Sequence, residues 1–202
     1  MKKMLSAFAL VALMMAPASA APVVGQPAPN FKLNDVNGRV VSLSDFKGKT
    51  VVLEWNNPDC PFVKKHYGSG NMQKTQAAAT KDGVVWLSIN SSAPGKQGHM
   101  DGSKAKGVIA GLRAQPTAYL LDPNGVVGKG YDAKTTPHMY IVNKAGTLVY
   151  AGGIDDKPTP NPADIDGARN HVLAALADLK AGKPVSVSTS RPYGCNVKYS
   201  DS

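Results

Sequence analysis

The sequence predicts an α/β fold: a mainly parallel central sheet with helices on both faces and an antiparallel hairpin late in the chain. Three observations predict it. Residues 51–55 (Val-Val-Leu-Glu-Trp) and 84–90 are short, nearly continuous apolar runs, the pattern of strands covered on both faces. Stretches of helical composition follow each run, so strand and helix alternate as in a crossover-connected sheet. Residues 138–143 and 147–151 alternate in polarity around Lys144-Ala145-Gly146, which reads as a hairpin.

The elements follow in order. Residues 21–29 are Pro-rich and read as an extended lead-in. Residues 30–33 and 39–43 are short strand candidates around a turn at Asp35-Val36-Asn37-Gly38. After the strand at 51–55, Pro61 opens a helix that runs through Lys65. Gly68 and Gly70 interrupt it, and helix resumes over 71–81 before Asp82-Gly83. Residues 91–98 are loop, and 99–113 have helical composition despite Gly102, Gly107 and Gly111. Residues 117–121 form a third strand, closed by the turn Asp122-Pro123-Asn124-Gly125. A stripe of Ile165, Ala168, Val172, Leu173, Leu176 and Leu179 predicts one helix over 164–180, stopped by Gly182 and Pro184.

These elements divide the chain into a leader (1–20), one domain (21–183) and a tail (184–202). Lys2 and Lys3, an apolar stretch over 4–15 and Ala18-Ser19-Ala20 have the layout of a secretory signal, and predict export to the periplasm. The apolar stretch is too short to span a bilayer, so stable membrane insertion is not expected; an uncleaved N-terminal anchor is the alternative. The formal net charge is +9. The basic residues are scattered, with few aromatics among them, which argues against a nucleic-acid partner.

The chain has two cysteines, and neither lies in a CxxC motif or at zinc-site spacing from a histidine. Cys60 stands between a buried strand and a Pro-started helix, where free N–H groups of the first turn favour a thiolate. Lys64 and Lys65 follow closely, and the polar approach Asn56-Asn57-Pro58-Asp59 predicts an accessible sulfur. His66, His99, His138 and His171 do not cluster in sequence, and no ligand spacing supports a metal. A Cu(I) site from Cys60, His138 and a methionine is the non-enzymatic alternative. Met72, Met100 and Met139 read as packing residues.

Four stretches carry a family resemblance. Pro27-Ala28-Pro29-Asn30-Phe31 with Leu43-Ser44-Asp45-Phe46-Lys47-Gly48-Lys49 is the first, and Cys60-Pro61-Phe62 after the central strand is the second. Thr136-Pro137 before the hairpin is the third. Tyr150-Ala151-Gly152-Gly153-Ile154-Asp155-Asp156 with the later Gly194-Cys195 is the fourth. Together they resemble the thioredoxin fold, in particular redoxins of the alkyl hydroperoxide reductase/thiol-specific antioxidant family. The resemblance implies that Cys60 is the reactive cysteine, that Pro137 is cis, and that Glu54 is a buried acid handling the thiol proton.

It also implies a thiol-based antioxidant oxidoreductase acting on a peroxide or a disulfide. Electrons would come from a thiol–disulfide donor protein, since nothing resembles a flavin or nicotinamide site. Cys195 is then the resolving partner of Cys60; a structural staple and a disulfide between two copies are the alternatives. The departures are specific. Val63 stands where a thioredoxin has its second cysteine. Asn57 and Leu53 stand where a peroxiredoxin has Thr or Ser and Pro. Asn57 can donate a hydrogen bond to a peroxide or thiolate but lacks a hydroxyl. Arg113 and Arg169 are the candidates for the peroxiredoxin arginine. Disulfide exchange without peroxidase activity is the corresponding alternative.

Overall fold

A computed structural model describes residues 21–200. The leader expected at 1–20 lies outside the described residues. A seven-stranded sheet is built from β1 (Lys32–Asp35), β2 (Val40–Ser42), β3 (Val51–Trp55), β4 (Val85–Asn90), β5 (Ala118–Leu121), β7 (His138–Val142) and β8 (Leu148–Gly152). Its order is β2-β1-β5-β4-β3-β7-β8. A second, two-stranded sheet pairs β6 (Thr135–Thr136) with β9 (Cys195–Asn196). The helices are α1 (Pro61–Gly68), α2 (Asn71–Lys81), α3 (Gly102–Leu112), α4 (Val126–Gly130) and α5 (His171–Lys180). The arrangement is thioredoxin-like, as the sequence implied.

The expected mainly parallel sheet is corrected. Only β3–β4 and β4–β5 are parallel. The pairs β1–β2, β1–β5, β3–β7 and β7–β8 are antiparallel. A parallel neighbour needs a long crossover, and the helical stretches between β3 and β5 supply two of them. The rest of the sheet is made by two hairpins, one at each edge.

Strand β3 lies in the middle and sorts the core by its two-residue period. Val51, Leu53 and Trp55 point to a cluster with Phe31, Leu87, Ile89, Tyr131 and Tyr140, closed by Val127 of α4. On the other face Val52 packs with Cys60, Val63, Met72, Trp86, Met139 and Val172, beneath α1, α2 and α5. Glu54 shares the parity of Val52 and therefore points beneath the helices. Among the described residues, no helix is long and apolar enough to cross a membrane.

The helix expected over 164–180 is shorter. Asn161-Pro162 opens a 3-10 turn over Pro162–Ile165, and Gly167 at φ +77° takes the backbone out of the helical region. Helix α5 starts afresh behind Asn170, whose side chain accepts from the Leu173 N–H at 2.9 Å. The short α4 went unread because five residues are too few for a periodic signal.

Asn170 ties α5 to α2 as well, donating to buried Thr75 Oγ1 at 3.1 Å. Asn170→Ala removes cap and tether together. It is expected to lower stability by about 1–2 kcal/mol, several degrees in the melting temperature. An unchanged melting curve would show that neither bond matters.

Candidate functional site

The site forms where β3 ends. Cys60 is the N-cap of α1, with Pro61 at the first helical position, where its missing N–H costs no hydrogen bond. The backbone turns into this position through the Cys60 N–H on the Asn57 carbonyl at 3.0 Å. The Thr136–Pro137 peptide is cis, and the Cys60 thiol donates to the Thr136 carbonyl at 3.1 Å. The tail returns to the same place. Cys195 pairs with Thr136 in the small sheet, and the Cys195 N–H points at Cys60 Sγ from 3.4 Å. Both cysteines are free thiols, 135 positions apart in sequence and adjacent in space.

The expected accessible sulfur is corrected: Cys60 is 0% exposed. The approach that promised exposure is polar but not open. Asn56 and Asn57 are both buried. The Asn56 side chain donates to Glu54 Oε1 at 2.8 Å and accepts from Tyr119 Oη at 2.8 Å. Asn57 accepts from the Asp59 N–H at 2.9 Å, and its amide donates to the Gln97 carbonyl at 3.4 Å. That amide is turned to the 91–98 loop, away from the sulfur it was expected to serve.

The electrostatics separate the two thiols. Burial pushes the Cys60 thiol up, but hydrogen bonds from the Cys195 thiol, from the Val63 and Cys195 N–H groups and from Thr136 outweigh it. The Cys60 pKa ends below the ordinary cysteine value. Cys195 is pushed up to about 11 by burial, by its hydrogen bond to Cys60 and by the charge there. The helix terminus contributes as the sequence predicts, through the Val63 N–H. The lysines do not. Lys64 is exposed, and Lys65 is buried and directed elsewhere, donating to the Lys157 carbonyl at 2.7 Å.

Glu54 is fully buried in mid-strand, neither wet nor salt-bridged. Five side chains donate to it. Trp86 Nε1 and Ser88 Oγ each lie 2.8 Å from Oε2, Gln76 Nε2 lies 3.3 Å from Oε2, and Asn56 and Tyr67 reach Oε1. Its partners come from β4, α1, α2 and Asn56 just past β3, so the carboxyl locks the first two helices to the sheet. Cys60 is not among these partners.

A second buried polar group was not read from the sequence. Tyr193, two residues before Cys195, donates a short hydrogen bond to Asp155 Oδ1. Its hydroxyl lies 3.0 Å from His66 Nε2, and Asn71 Nδ2 lies 2.8 Å from His66 Nδ1. Because Asn71 donates, His66 carries its proton on Nε2 and donates to Tyr193. Lys65 Nζ stands 3.9 Å from Asp155 Oδ2 and 5.5 Å from the Tyr193 ring centroid. The available signals were Lys65 and His66 on the buried side of α1 and the Asp155-Asp156 pair after an apolar strand. No sequence spacing joins them to Tyr193.

His138 faces away from Cys60. It sits on the face of β7 opposite Met139, with Nδ1 accepting from the Lys134 N–H at 3.2 Å and lying 3.1 Å from Tyr140 Oη. The copper arrangement of Cys60, His138 and a methionine is therefore not assembled. Arg169 is exposed, its N–H donating to Asp156, and Arg113 ends α3 in the left-handed region. Neither is among the groups that contact Cys60.

Two stability predictions follow from these buried groups. Glu54→Ala strands five donors in a dry site and is expected to cost roughly 3–5 kcal/mol, about 10 °C in melting temperature. A melting point within about 2 °C of the parent would contradict that role. Burial lowers both His66 and His138 to about 4, below the 6.5 of an exposed histidine. The unfolded chain therefore binds more protons between pH 6.5 and 4, and stability falls as pH falls through that window. Each histidine contributes roughly 3 kcal/mol to that loss, and Asp122, raised by burial, works in the opposite direction. Denaturant midpoints at pH 7 and 4.5 test this; equal midpoints would refute it.

Comparison with known proteins agrees with this geometry. The chain is 29% identical over 125 residues to the thiol-disulfide oxidoreductase ResA of Bacillus subtilis (strain 168), covering 62% of this chain and 64% of that one. It is 30% identical over 135 residues to the chloroplastic peroxiredoxin Q of Oryza sativa subsp. japonica, covering 58% and 62%. It thus spans just under two thirds of the length of the curated relatives it matches. The crystal structure of a conserved protein from Geobacillus kaustophilus superimposes with a TM-score of 0.75 at 30% identity, covering 89% of this chain and 94% of that one. The AhpC/TSA family profile matches residues 24–151, from the lead-in through β8 and including Cys60 and Pro137, and the chain belongs to the AhpC/TSA family.

Proposed function

We propose that this protein is an exported thiol-dependent oxidoreductase in which Cys60 is the nucleophile and Cys195 the resolving thiol. One observation carries the proposal: Cys195 is held against Cys60 by the pairing of β6 with β9, with its N–H 3.4 Å from Cys60 Sγ. In the first step the Cys60 thiolate attacks one sulfur of a substrate disulfide. A Cys60–substrate disulfide forms, and the other substrate sulfur leaves as a thiolate. Cys195, deprotonated, then attacks Cys60 Sγ. The internal Cys60–Cys195 disulfide forms and the second substrate thiolate departs, so the substrate has gained two electrons. A thiol–disulfide donor protein returns the pair to two thiols and leaves as its own disulfide.

Disulfide exchange is favoured over peroxide reduction by the groups around the sulfur. Cys60 is surrounded by backbone donors, Thr136 and Cys195; Leu53 and Asn57 occupy the peroxiredoxin Pro and Thr places, and among the described residues no arginine contacts it. Peroxide reduction is the second reading, favoured by the burial of Cys60, which a small oxidant overcomes more easily than a bulky one. There the thiolate takes the distal peroxide oxygen and becomes a sulfenic acid, an alcohol or water leaves, and Cys195 displaces water to give the same internal disulfide. The signal-like residues 1–20 support an oxidising, extracytoplasmic location, which suits a cycling disulfide.

Cys60→Ser is expected to abolish reduction of a small disulfide. Cys195→Ser is expected to trap the mixed disulfide on Cys60, seen as a substrate-sized mass increase. Undiminished turnover by Cys60→Ser would sink the proposal, and steady turnover by Cys195→Ser would remove the resolving role. Stopped-flow oxidation by hydrogen peroxide separates the two readings: the exchange reading expects a rate near that of a free thiol.

A further inference from the structure

The Cys60 sulfur is sealed by the chain's own tail. Gly194 crosses the Thr136 carbonyl with φ +133°, and a Cβ added there would lie 2.0 Å from that oxygen. The tail and the protein edge are thus in contact backbone to backbone. The strand pairing places Cys195 opposite Thr136 and Asn196 opposite Thr135. Any extended chain approaching Cys60 along this edge would need the same backbone groups. The tail already holds them.

The tail is fixed on both sides of the sulfur, by different means. Beyond Cys195 the anchors are spread out: the Val197 N–H on the Lys134 carbonyl at 3.0 Å, the Ala93 N–H on the Lys198 carbonyl at 2.8 Å, and Tyr199 Oη on the Ala133 carbonyl at 2.8 Å. Before it, Ser188 and Ser190 pair with Ala151, and between that pairing and Cys195 the side-chain anchor is Tyr193. Its ring packs edge-on against Phe62, with centroids 5.8 Å apart, and its hydroxyl enters the group formed by Asp155, His66 and Lys65.

That group has no evident part in the thiol chemistry. Burying Lys65 and Asp155 together carries a desolvation cost that a pair 3.9 Å apart recovers poorly. Among the described residues, none hydrogen-bonds Asp155 Oδ2. What the group does hold firmly is the Tyr193 hydroxyl. A polar anchor that docks in one register, and is itself short of full satisfaction, suits an attachment that must be specific yet able to open.

We propose that residues 193–199 form a strap closing over Cys60, and that Tyr193, latched by Asp155, His66 and Lys65, is the positioning residue that holds Cys195 at the site. Opening the latch lifts the strap, bares the sulfur and frees the Thr136 edge; closing it returns Cys195 for attack. The covering of Cys60 stands apart from the redox proposal above, whereas the role given to Cys195 rests on it.

The test has two arms, both on the full chain. In the first, Cys195→Ser leaves Cys60 as the single thiol, and its reaction with a bulky maleimide is followed by mass. Adding Tyr193→Phe keeps the ring and removes the hydroxyl, and should accelerate labelling about tenfold, the low end for losing a hydrogen bond to a charged group. Gly194→Ala should accelerate it independently, by forcing the strap off Thr136. Labelling rates measured across low denaturant separate local opening, which barely depends on it, from global unfolding, which rises steeply with it. Unchanged labelling in both variants, or accelerated labelling that rises with denaturant as global unfolding does, overturns the strap.

In the second arm both cysteines are present and a small disulfide is the oxidant, taking two electrons as the internal disulfide forms. Tyr193→Phe should slow closure of that disulfide relative to the parent. Faster labelling with no internal disulfide in any chain leaves the strap standing and removes the redox pair. Normal closure without faster labelling does the reverse.

Discussion

The structure depends on how one sulfur is solvated without water. Cys60 sits at the end of the central strand, where a thiolate in a dry interior would be costly unless donors replaced its hydration. Those donors come from three distant parts of the chain: the first turn of α1, Thr136 before the cis-proline, and Cys195 in the tail. None is local to another, so the sulfur's environment exists only once β3, β7 and the tail are assembled. The β6–β9 pairing is the last of these contacts, and it both completes the donor set and excludes solvent.

Two buried polar groups flank this site and solve different problems. Glu54 is met by donors from β4, α1, α2 and Asn56 just past β3. A carboxyl so supplied fixes the helices on the sheet, and thereby fixes the helix terminus that faces Cys60. Asp155 is supplied less completely, with a hydroxyl and a backbone N–H on Oδ1, and Lys65 Nζ and His66 Nε2 each 3.9 Å from Oδ2. The first group belongs to the rigid frame. The second joins that frame to the tail, where a single well-made bond decides register.

The frame was legible in the sequence, and the tail contacts were not. Continuous apolar runs gave β3 and β4, Pro61 gave the start of α1, and Lys144-Ala145-Gly146 gave the hairpin, because each signal lies within a few residues. Glu54 was found because an acid in an apolar strand stands out locally, and the cis form of Pro137 came from the family resemblance. The parallel sheet was over-read, because alternation of strands and helices does not say which edge receives a hairpin. The exposure of Cys60 was misjudged for a related reason. Polar residues before it suggested solvent, but Asn56 and Asn57 spend their side chains on Glu54, Tyr119, Asp59 and Gln97, of which Tyr119 and Gln97 are reached only through tertiary packing. Tyr193 was unreadable because its partners lie 38 and 127 positions away.

The closeness of the thiols also fixes an order of events in the proposed cycle. With Cys60 reduced, Cys195 is held at about 11 by burial, by its hydrogen bond to Cys60 and by the charge on that sulfur. Two of these three causes are properties of the reduced partner. When Cys60 is converted to a neutral mixed disulfide or sulfenic acid, the charge disappears and the bond to a thiolate is lost. Cys195 then retains only the burial contribution, with Lys198 still favouring its ionised form. Its acidity rises at the moment when attack on Cys60 becomes productive. Before that moment, its proton serves Cys60 by lowering the acidity barrier of the nucleophile. In the proposed cycle, the contact between the thiols thus suppresses Cys195 while Cys60 waits, and releases it once the attack has taken place.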